Sequence, residues 1–135
     1  MALLITSQRF FQVWGYTVSH SELLLRSVKS DEFSTRIDVF FKGVKELHLP
    51  ASFNGLSLET YEEGLQYPSI LQGTASLAHG RKVYVAKGNG FVGYIVALQA
   101  WIHEDQGEYY DPSFFPTSIR HGVAPTPLTS NLIPE

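Results

Sequence analysis

Hydrophobic and polar residues alternate with a period of two through much of the first half of the chain. In residues 34–43 an apolar set alternates with a charged set, namely Ile37, Val39 and Phe41 against Arg36, Asp38 and Lys42. Successive side chains of an extended chain point to opposite faces, so this pattern predicts a half-buried strand. Residues 10–20 and 21–29 predict two earlier strands joined by a turn at 19–21, and residues 29–34 predict a polar loop.

The middle of the chain gives a weaker pattern. Residues 44–50 predict a fourth strand that ends at Pro50, because proline cannot donate a hydrogen bond to a sheet. The dipeptide Asn54-Gly55 predicts a turn, with a short strand at 56–58 after it. The pattern of residues 59–66 fits either one short helix or a loop, and residues 73–82 are typical of a connection.

The second half contains the clearest hairpin signal, where Asn89-Gly90 separates two apolar runs. A two-residue loop of this composition predicts a type I′ turn with positive φ at both positions. Gly93 indicates either a bulge or a close backbone approach. Residues 91–102 are apolar on both faces, which favours one central strand over a buried helix because β-branched residues follow the turn.

The stretch WIHEDQGEYYDP, residues 101–112, is typical of a hairpin tip. Residues 101–104 and 108–111 would pair as antiparallel strands around a three-residue loop. Asp105 would stabilise that loop by accepting hydrogen bonds from backbone amides.

These elements predict a mainly β fold of about seven antiparallel strands in a strongly bent sheet, a sandwich or an incomplete barrel. We expect one β-rich domain over residues 1–111, followed by an extended, proline-rich tail over residues 112–135. Apolar residues in the tail would hold it against the domain or a neighbouring subunit, namely Phe114, Phe115, Ile119, Leu128 and Ile133.

Composition agrees with one globular domain and narrows its partners. The chain has 135 residues, 44% hydrophobic and 13% aromatic, enough for a substantial core. Its net charge of -3, with no basic cluster, argues against binding to nucleic acid or to an anionic membrane. The chain has no cysteine, and no apolar run reaches the ~20 residues of a membrane span. We therefore expect a soluble protein of the cytoplasm.

Residues 103–111 also hold the strongest candidates for chemistry. His103, Glu108 and Asp111 are candidate catalytic residues, since a histidine and carboxylates can exchange protons. His103, Asp105 and Asp111 could supply nitrogen and oxygen ligands to a metal, although no second histidine stands at a familiar spacing. The hairpin tip accounts for the same residues without any metal, so we expect neither a metal nor a cofactor.

Other side chains are candidates for binding a ligand. Arg26, Arg36 and Asp38 fall on neighbouring predicted strands, where they form either a solvated, ion-paired face or a ligand-facing patch. The aromatic residues exceed what one face of a small sheet can bury. The candidates among them are Trp14, Tyr16, Trp101, Tyr109 and Tyr110.

The sequence thus favours a non-catalytic binding or protein-interaction module, self-associating as a homodimer and resembling an inhibitor or immunity protein in mode of action. Its partner would be a protein or a small molecule. The alternative is a small enzyme whose pocket uses His103 and nearby carboxylates, with metal-assisted hydrolysis as one form. No phosphate-binding or dinucleotide-binding motif is present to support other classes.

Overall fold

The structure, a computed structural model, describes residues 2–62, 80–117 and 119, and these residues form eight β-strands in one antiparallel sheet. The strands are β1 (Ala2–Thr17), β2 (Glu22–Ser27), β3 (Arg36–Lys42), β4 (Glu46–His48), β5 (Ser52–Glu62), β6 (Lys82–Gly88), β7 (Phe91–Ala97) and β8 (Gln99–Asp105). Their order in the sheet is β4-β7-β6-β5-β1-β2-β3-β8, and the sheet does not close. The predicted mainly β, antiparallel fold is confirmed.

The core lies on one face of this sheet. Phe11 on β1, Leu25 on β2 and Val39 on β3 are fully buried there, together with residues of β5, β6 and β7. A smaller cluster of Val83, Val85 and Val96 is buried on β6 and β7. A third cluster contains Leu24, Phe40, Phe115 and Ile119, and it joins β2 and β3 to the segment that follows β8. The alternation of apolar residues in β3 therefore marks the core face, as predicted.

The sheet bends at Leu98. After the bend, β8 pairs with β3, and before the bend, β7 pairs with β4. The chain segments 36–48 and 91–105 therefore pair with each other on both sides of the bend. Between these pairs, the Leu98 amide donates to the Lys42 carbonyl oxygen at 3.0 Å, and the Lys45 amide donates to the Val96 carbonyl oxygen at 2.8 Å. The prediction of one central strand over 91–102 is wrong, because the bend carries residues 99–105 to the other end of the sheet order.

Two predictions for the middle of the chain are also wrong. Asn54 and Gly55 do not form a turn but lie inside β5, where Gly55 has a φ of 81° and the register between β1 and β5 shifts. Residues 59–62 continue the same strand, so they are not helical. Residues 63–66 of the predicted helix and 73–79 of the predicted connection lie outside the described residues.

The hairpin of β6 and β7 is confirmed, with Gly88 paired to Phe91 around Asn89 and Gly90. Its turn is not type I′, because a type I′ turn needs a positive φ at both central residues. Gly90 has a φ of 82°, but Asn89 does not have a positive φ, since Ser21 is the one described non-glycine residue that does. Gly93 is a close approach rather than a bulge. Any Cβ at Gly93 would collide with the carbonyl oxygen of His48, and the register around it is regular.

The predicted hairpin around 105–107 is wrong as well. β8 ends at Asp105, and residues 108–111 form a turn and bend instead of a return strand. One detail is confirmed, because Asp105 Oδ1 accepts the amide of Gly107 at 2.9 Å. Instead of turning beside β8, the chain folds back over the sheet face opposite the core, which creates the candidate site.

Candidate functional site

The polar face of β3 is covered by protein rather than by solvent. Arg36 and Asp38 are 2% and 1% exposed, and the facing Arg26 of β2 is fully buried. The segment 106–117 covers them through hydrogen bonds to its backbone carbonyls. The alternation in residues 34–43 was thus correct, but the predicted half-burial was wrong because both faces of β3 are buried.

Arg26 forms the first half of this attachment. Its Nε and Nη2 donate to the two carboxylate oxygens of Asp38 at 2.7 and 3.0 Å, while its Nη1 donates to the carbonyl oxygens of Tyr109 and Asp111 at 3.1 and 3.3 Å. Asp38 also accepts the Ser113 hydroxyl at 2.6 Å. A buried ion pair is tolerated when such hydrogen bonds satisfy both partners.

Arg36 forms the second half. Its Nε and Nη2 each lie 3.1 Å from an oxygen of Asp105, and the guanidinium also donates to the carbonyl oxygens of Glu108, Asp111 and Pro112. An arginine presents five donors in a planar fork, which suits it to hold several acceptors at once. We call Arg26 and Arg36 with their two carboxylate partners the arginine clamp. It fixes residues 108–113 on the sheet.

The aromatic residues near the clamp pack on it. The Trp14 ring lies 5.1 Å from the Tyr109 ring and 6.1 Å from the Tyr110 ring, measured between centroids. The Arg26 guanidinium carbon lies 4.8 Å from the centroid of Trp14, within the range of a cation–π contact. Of these three predicted binding aromatics, Trp14 therefore packs on Arg26, and Tyr109 and Tyr110 pack on Trp14. Tyr16 is exposed on β1, and among the described residues it takes part in none of these contacts.

Beyond the clamp, the segment and the sheet enclose an open cavity of about 270 Å³, which we call the aromatic cavity. Phe40 stacks between the rings of Trp101 and Phe115, at centroid distances of 5.9 and 5.4 Å. Trp101 and Phe114 are 43% and 65% exposed, so two large rings face solvent at the cavity. The lining is mostly apolar and consists of Phe40, Lys42, Trp101, Phe114, Phe115 and Pro116.

Lys42 supplies the charged group of this lining. Its Nζ lies 4.0 Å from Glu22 Oε2, a loose contact, and its side chain is more than half exposed. The Glu22 carboxylate is almost fully buried and also accepts the Thr117 hydroxyl at 2.7 Å. The ammonium group of Lys42 is therefore available at the edge of the cavity.

His103 lies at the junction of the cavity and the clamp. Its ring stacks on Phe114 at 4.0 Å, and its Nε2 is 3.5 Å from Asp105 Oδ2. Burial acts to raise the pKa of Asp105, but hydrogen bonds from Arg36 and Gly107 and the charges of Arg36 and His103 outweigh it. The pKa of Asp105 consequently lies below its ordinary value, and its carboxylate is committed to Arg36.

The other predicted catalytic and metal-binding side chains point elsewhere. Asp111 Oδ2 accepts the amide of Glu108 at 2.9 Å, and Glu108 Oε2 lies 2.7 Å from Lys29 Nζ. The structure thus brings His103 and Asp105 together but engages Glu108 and Asp111 in other contacts. Within residues 2–62, 80–117 and 119, no group of three His, Asp or Glu side chains could hold a metal ion.

Several residues of the aromatic cavity were not identified as site residues from the sequence, namely Phe40, Lys42, Phe114, Phe115 and Pro116. A signal for Phe40 exists, since Phe40 and Phe41 are adjacent in a strand and must point to opposite faces. One of them therefore shares the face of Arg36 and Asp38. The path of residues 113–117 has no comparable signal, because it depends on contacts distant in the sequence.

No family model, curated protein or solved structure matches this chain. The part of the chain that the structure describes has no helix that could cross a bilayer. Functional inference therefore depends on the chemistry of the cavities themselves.

Proposed function

We propose that this protein is a non-catalytic binding module that takes a small, flat, largely apolar ligand with an acid group into the aromatic cavity. The observation that carries the proposal is the exposed pair Trp101 and Phe114 at an open cavity next to a rigidly attached segment. Large aromatic surface exposed to water is unfavourable by ~25 cal/mol per Å², so such rings favour an apolar ligand that covers them.

The size and walls of the cavity favour a flat ligand. Its volume of about 270 Å³ lies just below the usual range of ligand pockets, roughly 300–1,000 Å³, so the ligand must be small. Aromatic rings attract other rings in stacked or edge-on contacts worth ~0.5–1.5 kcal/mol beyond simple burial. One ring or two fused rings would match this space.

The acid group is inferred from Lys42. Aromatic surfaces can also attract cations, but an ammonium group already stands at the edge of this cavity and would repel another cation. A carboxylate over the rim would instead pair with Lys42, whose nearest carboxylate is 4.0 Å away.

The arginine clamp supports the proposal energetically. Ordering a loop around a ligand opposes binding, and a segment that is already ordered avoids that cost. Here Arg36 binds the carbonyl oxygens of residues 108, 111 and 112, immediately before Phe114. Arg26, Arg36 and Asp38 therefore support the cavity wall rather than touch the ligand.

The two tryptophans allow a direct test by nuclear magnetic resonance. Trp101 lines the cavity, whereas Trp14 packs on the clamp and serves as an internal reference. Titration of the ¹⁵N-labelled protein with 2-naphthoate should shift the Trp101 indole resonance saturably and leave that of Trp14 in place. No saturable shift, or equal shifts of both resonances, would overturn the proposal.

A charge-neutral ligand and a lysine variant test the acid group. Lys42→Met should weaken 2-naphthoate binding roughly two- to fivefold, as expected for an exposed ion pair, but should not weaken 2-naphthalenemethanol. Lys45→Met is the matched control, because Lys45 is exposed at the neighbouring bend and does not line the cavity. Equal affinity of Lys42→Met and the native protein for 2-naphthoate would remove the acid group from the proposal.

Self-association stays a prediction, and light scattering distinguishes it from ligand binding. A dimer in the native protein that becomes a monomer in Phe114→Ala would show that the cavity is an interface between copies, and the small-ligand proposal would then fail. Catalysis by His103 also stays a prediction, and the contact in its favour is the 3.5 Å approach of His103 Nε2 to Asp105 Oδ2.

A further inference from the structure

A second cavity lies near Arg9, whose environment differs from that of the other buried arginines. Among the described residues, three arginine side chains are buried, and two of them hold a carboxylate with two hydrogen bonds. Arg9 is 5% exposed but has no such partner, since its nearest carboxylate oxygen, Glu104 Oε2, is 3.8 Å from Nη1.

The hydrogen bonds of Arg9 go to neutral groups. Nε donates to the Ser27 hydroxyl at 3.2 Å, Nη1 donates to the Thr35 hydroxyl at 3.0 Å, and Nη2 donates to the Thr35 carbonyl oxygen. Glu104 is itself more than half exposed and accepts the Thr35 hydroxyl at 2.6 Å. Burial lowers the pKa of Arg9, and the attraction of Glu104 offsets only part of this effect. The positive charge of Arg9 is thus incompletely neutralised.

Arg9 lines a cavity of about 230 Å³ that lies between β1, β5 and the loop that follows β2. Phe33 lies over the guanidinium at 4.3 Å, and Phe10 provides a second, half-exposed ring. The remaining lining is mostly polar and includes Gln8, Asn54 and Glu32. We call it the Arg9 cavity. No residue is common to it and the aromatic cavity.

We propose that the Arg9 cavity binds a small monocarboxylate that also carries hydroxyl groups. The carboxylate would accept hydrogen bonds from Arg9, which uses three of its five N–H groups on described residues. The hydroxyl groups would bond Gln8, Asn54 and Glu32, while the carbon skeleton packs on Phe33. This site goes beyond the aromatic cavity and does not depend on the function proposed there.

The acidic residues near Arg9 favour a carboxylate over a phosphate as the bound anion. Glu32 lines the cavity and Glu104 approaches Arg9, so a doubly charged phosphate would meet two negative groups while a single carboxylate meets less repulsion. Glu32 is also an acceptor that hydroxyl groups can satisfy. A hydroxylated monocarboxylate fits both conditions.

Titration calorimetry with the native protein tests this class using glucuronate, glucose and inorganic phosphate. Glucuronate should bind saturably and glucose roughly tenfold or more weakly, because glucose has no charged acceptor for the hydrogen bonds of Arg9. Phosphate should bind more weakly than glucuronate. Equal affinities for glucuronate and glucose, tighter binding of phosphate or no binding of glucuronate would each overturn the proposal.

Variants that keep the buried Arg9 test the Arg9 cavity without the risk that its replacement unfolds the protein. Glu104→Gln removes a negative charge near the guanidinium while keeping an acceptor for Thr35, so glucuronate binding should tighten roughly two- to fivefold. Glu59→Gln is the matched control, because Glu59 is five residues along β5 from Asn54, about 17 Å away, and should leave binding unchanged. Unchanged or weaker binding in Glu104→Gln would contradict an anion site at Arg9.

Discussion

Arg26 and Asp38 face each other on β2 and β3, and two hydrogen bonds of 2.7 and 3.0 Å join the guanidinium to the carboxylate. Both side chains are removed from solvent. Further hydrogen bonds join the pair to residues 109, 111 and 113. This pair therefore couples the stability of the sheet to the position of the segment that borders the aromatic cavity.

Asp38→Asn should destabilise the protein by about 3–5 kcal/mol. The substitution keeps the shape of the side chain but leaves the Arg26 charge buried without a counter-charge. Urea denaturation followed by circular dichroism measures the loss. Glu108→Gln is the control, since its ion pair with Lys29 is largely exposed and should contribute less than ~1 kcal/mol.

The double variant Arg26→Met with Asp38→Leu separates charge from packing. Replacement of a buried pair by apolar residues of similar volume is often neutral, so the double variant should be more stable than Asp38→Asn. It should still lose the hydrogen bonds to residues 109 and 111, and limited proteolysis should then cut the segment 106–117 faster. A double variant as unstable as the single one would show that burial of charge is not the cause.

Asp105 should make the protein less stable in acid. Its pKa in the folded state is lowered, because the hydrogen bonds from Arg36 and Gly107 outweigh the opposing effect of burial. In the unfolded chain the pKa is ~3.9, so folding favours the ionised form. This contribution to the free energy of unfolding is fully present above the unfolded value and is lost as the pH falls through the folded value.

Comparison with Asp105→Asn over pH measures that contribution. The native protein should be clearly more stable than the variant at pH 6, and the difference should shrink steadily below pH ~4. Asp31→Asn changes an exposed loop carboxylate and serves as the control. A difference between the native protein and Asp105→Asn that stays constant from pH 6 to pH 3 would contradict the role given to Arg36.

The sequence predicted which residues form strands better than it predicted how those strands pair in the sheet. Alternation identified β3 and the hairpin of β6 and β7 because periodicity and turn residues are local properties. It did not predict that β7 ends at Ala97, since residues 91–102 are apolar on both faces and the bend at Leu98 follows from pairing with residues 36–48. The turn predicted from Asn54-Gly55 was wrong for a related reason. In β5 the positive φ of Gly55 accompanies an irregular register with β1, and that register depends on pairing between distant segments.

The site shows the same division between local and distant information. Arg26, Arg36 and Asp38 were correctly predicted to lie on neighbouring strands from the local pattern alone. Their burial could not be predicted, because it depends on residues 106–117 returning to a face that looks solvated in the sequence. Charged side chains that alternate along a strand are usually solvated. Here the two arginine side chains bind backbone carbonyl oxygens instead.

Gly93→Ala should destabilise the protein by about 1–3 kcal/mol. A methyl group at this position would meet the backbone carbonyl of His48, which cannot rotate away as a side chain could. Thermal unfolding measures the effect. Gly90→Asn is the control, because Gly90 has open space around it and asparagine tolerates its φ of 82°. Equal stability of Gly93→Ala and the native protein would mean that β4 is not held closely against β7.

Thr60→Val should stabilise the protein by about 1 kcal/mol. The Thr60 hydroxyl oxygen is buried and has no hydrogen-bond partner among the described residues. An unsatisfied buried polar group costs ~1–3 kcal/mol, and valine has the same shape without that group. Urea denaturation measures the gain. Thr35→Val is the comparison, since the Thr35 hydroxyl hydrogen-bonds Arg9 and Glu104 and its loss should lower stability instead.

Phe114 and Phe115 are neighbours whose substitutions should have opposite consequences. Phe115 is buried against Phe40 and Ile119, so Phe115→Ala should cost about 3 kcal/mol of stability. Phe114 is largely exposed, so Phe114→Ala should change stability by about 0.5 kcal/mol or less. The same Phe114→Ala variant should nevertheless abolish the 2-naphthoate-induced shift of Trp101, because it removes one wall of the aromatic cavity. A folded Phe114→Ala protein that binds 2-naphthoate like the native one would show that this ring is no part of the site.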